Sequence, residues 1–156
     1  MNSSNDAGSR GAFGDMANLV KHLPNYHEPR TLILLRGHLL VEEQLRGYVD
    51  RKLTNPRKFK HKWFSFAKIL MLCSALTSPS VKSWAFDAAD KLNGARNEIA
   101  HELESTKLDS KIEIFVGAVE QHANNSVFPP KGRGEARLYM AVVDLYDELI
   151  RVLHAD

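Results

Sequence analysis

Arg96, Asn97 and His101 lie close together in the run Leu92-Asn93-Gly94-Ala95-Arg96-Asn97-Glu98-Ile99-Ala100-His101, and they are the side chains best equipped for chemistry. Histidine changes charge near neutral pH, so it can take up or release a proton. An asparagine four residues earlier on a helix can hydrogen-bond to it and fix which ring nitrogen carries that proton. At 100° per residue, Ala88, Leu92, Ala95, Ile99 and Leu103 cluster on one side of a helix through residues 84–104. Asn97 and His101 point nearly opposite, in line with Asp90, Asn93 and Glu104. Arg96 falls at the edge of the apolar stripe, about 140° from His101. His101 therefore faces away from the chain's own core. A second subunit laid against this face would complete a cleft, so the wheel predicts a homodimer.

The other chemical feature is basic. Arg51, Lys52, Arg57, Lys58, Lys60 and Lys62 share a stretch without a single acid, with Phe59, His61 and Trp63 among and beside them. Charge neutralisation of phosphates combined with ring stacking is how single-stranded RNA is gripped. The competing reading is a solvated connection whose Phe59 and Trp63 plug the core. Lys131 and Arg133 form a smaller basic group in a Pro/Gly loop. His38 pairs with Glu42 one turn on, but it shares a stripe with Leu34, Val41 and Leu45, which marks it as a packing or interface histidine. His22, His27, His61, His122 and His154 show no ligand spacing with cysteine or acids, so no metal is predicted. Neither a phosphate-cradling glycine loop nor a nucleophile elbow is present, and no cofactor is expected.

The elements that must position these residues read as helices. Met16 to Leu23 is a short helix stopped by Pro24, and residues 1–15 read as a disordered tail ahead of a single domain over 16–156. A long helix follows from Arg30 to about Lys52. Its leucines occupy two faces: Leu32, Leu35 and Leu39 on one, Leu34, Val41, Leu45 and Val49 on the other. Thr54-Asn55-Pro56 breaks it, and the next helix starts near Lys60. Ser78-Pro79-Ser80 ends that one and offers a hydroxyl cap for a helix from about Val81 to Glu104. Ser110 and Glu113 have capping-box spacing and open a helix to about His122. Ile112 to Val116 is the one place where a strand stays possible. A loop over 124–134 leads to a last helix, about Glu135 to His154, with Leu138, Val142, Leu145, Leu149 and Val152 at core spacing. The fold class is all-α, an antiparallel bundle of four to five long helices plus the short N-terminal one.

Composition fits that picture. A chain of 156 residues with 44% hydrophobic and 26% charged residues can bury a real core without staples. The formal charge is only +2, so attraction to nucleic acid must come from local clustering. Cys73 stands alone in an apolar run and reads as core packing. With no secretory signal and no membrane-length apolar run, the expectation is a cytoplasmic protein away from membranes.

The run from Leu92 to His101 resembles the signature of HEPN domains, an arginine and a polar residue followed after a few positions by histidine. Arg36-Gly37-His38-Leu39-Leu40-Val41-Glu42-Glu43-Gln44-Leu45 resembles the first long helix of such bundles, and also that of mannitol-operon-repressor-like proteins. The likeness spans roughly residues 30–105. It implies metal-independent cleavage of single-stranded RNA by a homodimer whose motif helices face each other. His101 would take the proton from a ribose 2′-hydroxyl, Arg96 would stabilise charge on the phosphate, and Asn97 would orient His101 or the phosphate. The product would be a 2′,3′-cyclic phosphate, and the setting a toxin or phage-defence effector with a possible antitoxin or regulatory protein as partner. Some toxin members carry a tyrosine two residues after the histidine, where a partner enzyme modifies it. Leu103 stands there, so that mode of regulation is not implied. The alternative is a non-catalytic regulatory or interaction module of HEPN-like or mannitol-repressor-like kind.

Overall fold

A computed structural model describes residues 4–101, 106–123 and 127–155, with side chains from residue 11 onward. These residues form α1 (Ser4–His22), α2 (Arg30–Lys52), α3 (Phe66–Leu76), α4 (Ala85–His101), α5 (Leu108–Glu120) and α6 (Gly134–Leu153), with no strand among them. The fold class is therefore all-α. No helix among the described residues is long and apolar enough to cross a membrane.

Two helices run as the sequence predicts. In α2 no proline intervenes after Pro29, and Leu34, Val41, Leu45 and Val49 are buried. Of its second leucine stripe, Leu35 is half-buried, while Leu32 and Leu39 are exposed. In α6 all of Leu138, Val142, Leu145, Leu149 and Val152 are buried. Helix α2 packs against α6, α3 and α4, while α5 covers α4 and α6. The largest buried side chains include Tyr48, Tyr146 and Phe115. Both tyrosine hydroxyls are served inside the core, by Thr77 Oγ1 at 3.3 Å and Gln44 Nε2 at 2.7 Å, as buried polar groups require. Cys73 is packed there too, donating through Sγ to Leu45 O at 3.2 Å, and burial pushes its pKa up to about 12.

Other helix ends differ from expectation, each for a tertiary reason. The short helix from Met16 is a 19-residue helix beginning at Ser4, so the stretch read as a disordered tail is helical from that residue on. Its inner face is held against α6 by an Asp15–His154 pair at 2.8 Å, with Ala12 and Met16 packed on the core. Helix α3 starts at Phe66 rather than Lys60. The chain before it makes two 3-10 turns, Pro56–Lys58 and His61–Trp63, and Ser65 caps the helix. Helix α4 takes its cap from Ser83, whose hydroxyl accepts from the Ala85 N–H at 3.0 Å, and not from Ser78 or Ser80. The Ser110–Glu113 capping box does not form. Helix α5 opens two residues earlier with no side-chain cap, because Glu113 is engaged by Arg137 instead. Residues 112–116 are helical, and Leu103 and Glu104 lie outside the described residues.

Where α2 crosses α6, the side chain of Val142 fills the space beside Gly37. A Cβ on Gly37 would lie 2.8 Å and 2.9 Å from the γ-carbons of Val142. Gly37→Ala is expected to cost about 1–2 kcal/mol, overpacking outweighing the gain in helix propensity. Val142→Ala removes the obstruction. The double variant should be more stable than the sum of the two single losses by about 1 kcal/mol. Urea unfolding measures this, and strict additivity would refute the close crossing.

Candidate functional site

Helices α2, α3 and α4 leave a cleft between them of about 410 Å³, with His38, Glu42, Asn93, Arg96 and Asn97 among its lining. Helix α4 delivers Arg96 from the edge of its buried stripe of Ala85, Ala88, Ala89, Leu92 and Ala95, and Asn93 and Asn97 from the flank beside it. Helix α2 supplies His38 and Glu42 from successive turns. Ser65, Phe66 and Ala67, where α3 begins, form the remaining wall.

The polar groups of the cleft pair with one another. His38 Nε2 lies 3.1 Å from Asn93 Oδ1. With the amide oxygen facing the ring, that nitrogen is placed to donate to it. Burial holds the His38 pKa below its ordinary value. The hydrogen bond to Asn93 and the nearby Glu42 carboxylate raise it only in part, and Arg96 lowers it further. The ring lies tilted against Phe66, with centroids 4.4 Å apart. Arg96 Nη1 donates to Asn97 Oδ1 at 3.3 Å. Arg96 is half-buried, yet among the described residues no carboxylate pairs with it. A guanidinium withdrawn from water without an acid is costly unless an anion completes it.

Glu42, by contrast, is committed. Arg46 Nε donates to its Oε1 at 2.9 Å, and the same guanidinium donates to the carbonyls of His61 at 3.0 Å and Phe64 at 2.9 Å. The acid is thereby neutralised within the cleft wall. The basic segment before α3 is tied to α2 by the same group.

Sequence reasoning separated Arg96 from Asn97 by their angle on the helix and assigned the cleft to a second subunit. The structure brings these two into one cleft within a single chain, lined also by residues of α2 and of the start of α3. His101 is the last residue of α4, exposed, and does not line that cleft. It stands one turn beyond Asn97 and about 40° further round. His38 and Asn93 are the site residues that were missed. The pairing of His38 with Glu42 was the available signal, and the two approach to 3.8 Å.

Of the predicted RNA-binding residues, Arg51 and Lys52 are exposed at the end of α2, both over the Tyr48 ring. Arg57, Lys58, Lys60 and Lys62 are exposed along the segment before α3. Among the described residues no group of histidine, cysteine and acidic side chains could hold a metal ion. No family model matches this chain, and no curated protein or solved structure is similar to it.

Proposed function

We propose that this protein is a metal-independent endoribonuclease of the HEPN kind, an antiparallel helical bundle acting as a homodimer on single-stranded RNA. The observation that carries the reading is the half-buried Arg96, paired with no carboxylate among the described residues, beside Asn97 in the cleft. An RNA phosphodiester supplies the missing anion. The guanidinium and the Asn97 amide bind its non-bridging oxygens and gain strength as charge grows there. His101 takes the proton of the adjacent ribose 2′-hydroxyl. That oxygen attacks phosphorus, the bond to the 5′-oxygen breaks, the leaving oxygen takes a proton from water, and a 2′,3′-cyclic phosphate and a 5′-hydroxyl result. Because His101 stands outside the cleft of its own chain, the second copy is what brings a histidine over the phosphate.

The test is incubation of the purified protein with unstructured RNA in EDTA. Cleavage to cyclic-phosphate ends is expected, with His101→Ala reducing the rate by about 10²–10⁴-fold. Light scattering should give a dimer. The position of His101 favours a second reading, a non-catalytic module that binds an anionic partner through the same cleft. Intact RNA across several substrates, from a protein that remains dimeric, would establish that reading in place of the first. A monomer would remove the shared site on which the proposed catalysis depends.

A further inference from the structure

We propose that the segment 56–64 is a rigid grip for an unpaired RNA strand, in which Trp63 stacks on a base beside the nucleotide whose phosphate meets Arg96. This rests on the nucleic-acid reading above and adds a stacking residue and a selectivity for single strands.

The segment is fastened at several points. Arg46 holds the carbonyls of His61 and Phe64, and His61 Nε2 meets Asp50 Oδ1 at 2.8 Å. The rings of Phe59 and Phe64 lie 4.6 Å apart, with His61 edge-on to Phe59, and both phenylalanines pack on the core. Trp63 sits among these fastened residues and is 70% exposed. Core packing accounts for the phenylalanines and leaves the indole unexplained. A large ring held out in water on an ordered backbone loses little freedom when it stacks on something flat.

The surroundings select the ligand. Arg57, Lys58, Lys60 and Lys62 are exposed on the same segment, and among the described residues none of the four is paired with a carboxylate. Such a combination of cations and an open aromatic face matches a strand whose phosphates and bases are both accessible. A duplex hides the base faces, and an acidic peptide offers nothing for the ring to stack on. Placement supplies the last step. Ser65, two residues after Trp63, already lines the Arg96 cleft. That is at most about 7 Å of backbone. Grip and cleft therefore form one track.

The chain has two tryptophans, so Trp84→Phe leaves Trp63 as the sole indole, read by excitation at a wavelength the tyrosines do not absorb. In that background, with His101→Ala to prevent cleavage and EDTA present, the protein is titrated with oligouridylate, an RNA duplex and polyglutamate. Oligouridylate is expected to quench the indole and bind at least about 10-fold more tightly than the other two. Trp63→Ala should weaken binding by about 10-fold, with Trp63→Phe restoring most of the loss. Lys60→Ala and Lys62→Ala should each lower the slope of log K against log salt by about 0.7. Equal quenching by duplex or polyglutamate, or unchanged affinity in Trp63→Ala, overturns the proposal. The two readings fail separately. Trp63-dependent binding by a chain that never cuts RNA retains the grip and removes the nuclease, while cleavage at an unchanged KM in Trp63→Ala does the reverse.

Discussion

Under the proposed ribonuclease activity, Arg96→Lys is expected to lower kcat/KM by about 10²–10³-fold, although the charge is retained. The guanidinium offers five N–H groups in a planar fork, of which the hydrogen bond to Asn97 Oδ1 occupies one. The rest can take two phosphate oxygens at once, which an ammonium on a shorter reach cannot. Folding should be little affected, because Arg96 makes no ion pair among the described residues and stands at the edge of a helix face. Thermal unfolding of the variant is therefore expected within a few degrees of the parent. Kinetics on a short fluorogenic RNA, run beside a melting curve, separate the two effects. Activity within threefold of the parent would mean that Arg96 does not meet the reacting phosphate. A collapse in melting temperature would make it a structural residue instead.

The largest effect on stability is expected at the junction of α5 and α6. Arg137 is buried, 4% exposed, and donates to Glu120 at 2.9 Å and to Glu113 at 3.0 Å. Burial alone would pull the guanidinium pKa down, and the hydrogen bonds and charges of the two carboxylates reverse that and hold it above its ordinary value. The partners are unequally placed, since Glu113 and Glu120 have 54% and 29% of their side-chain surface in water. Removing both carboxylates by Glu113→Ala with Glu120→Ala strands a buried cation and should cost about 3–4 kcal/mol. Arg137→Met leaves two acids that water can reach and puts an apolar chain in the buried position, so about 1–2 kcal/mol is expected. Urea midpoints at constant m-value measure both. The order is the decisive point: if Arg137→Met is the more damaging change, the charge is not what the two acids are there to hold.

What could be read from the sequence tracks how local each determinant is. The limits of α2 and the core face of α6 follow from proline placement and 3.6-residue periodicity, which are properties of neighbouring residues. The start of α3 does not. His61 and Phe64 have their carbonyls taken by Arg46, 15 and 18 residues away in the chain, and no local pattern reports that. The helical state of α1 ahead of Met16 escaped for the same reason where Asp15 is concerned, its partner being His154 at a separation of 139 residues. The cleft is the same lesson in chemical form. His38 alone reads as a packing histidine and Asn93 as one more residue of a polar face. Their contact spans 55 residues, and only packing of α2 on α4 turns two unremarkable positions into one site. The resemblance drew attention to Arg96 and Asn97, and the structure supplied their neighbours.

The crossing at Gly37 and Val142 also bears on how this chain can diverge. With a Cβ at position 37 only 2.8 Å from a valine methyl, the two positions share one fixed volume, and neither can grow alone. Substitutions there become conditional on each other: alanine at 37 costs less in a background that already carries alanine or glycine at 142, and valine at 142 favours glycine at 37. Sequences descended from a common ancestor with this one should therefore change the pair together, with the smaller residue at 142 arriving first.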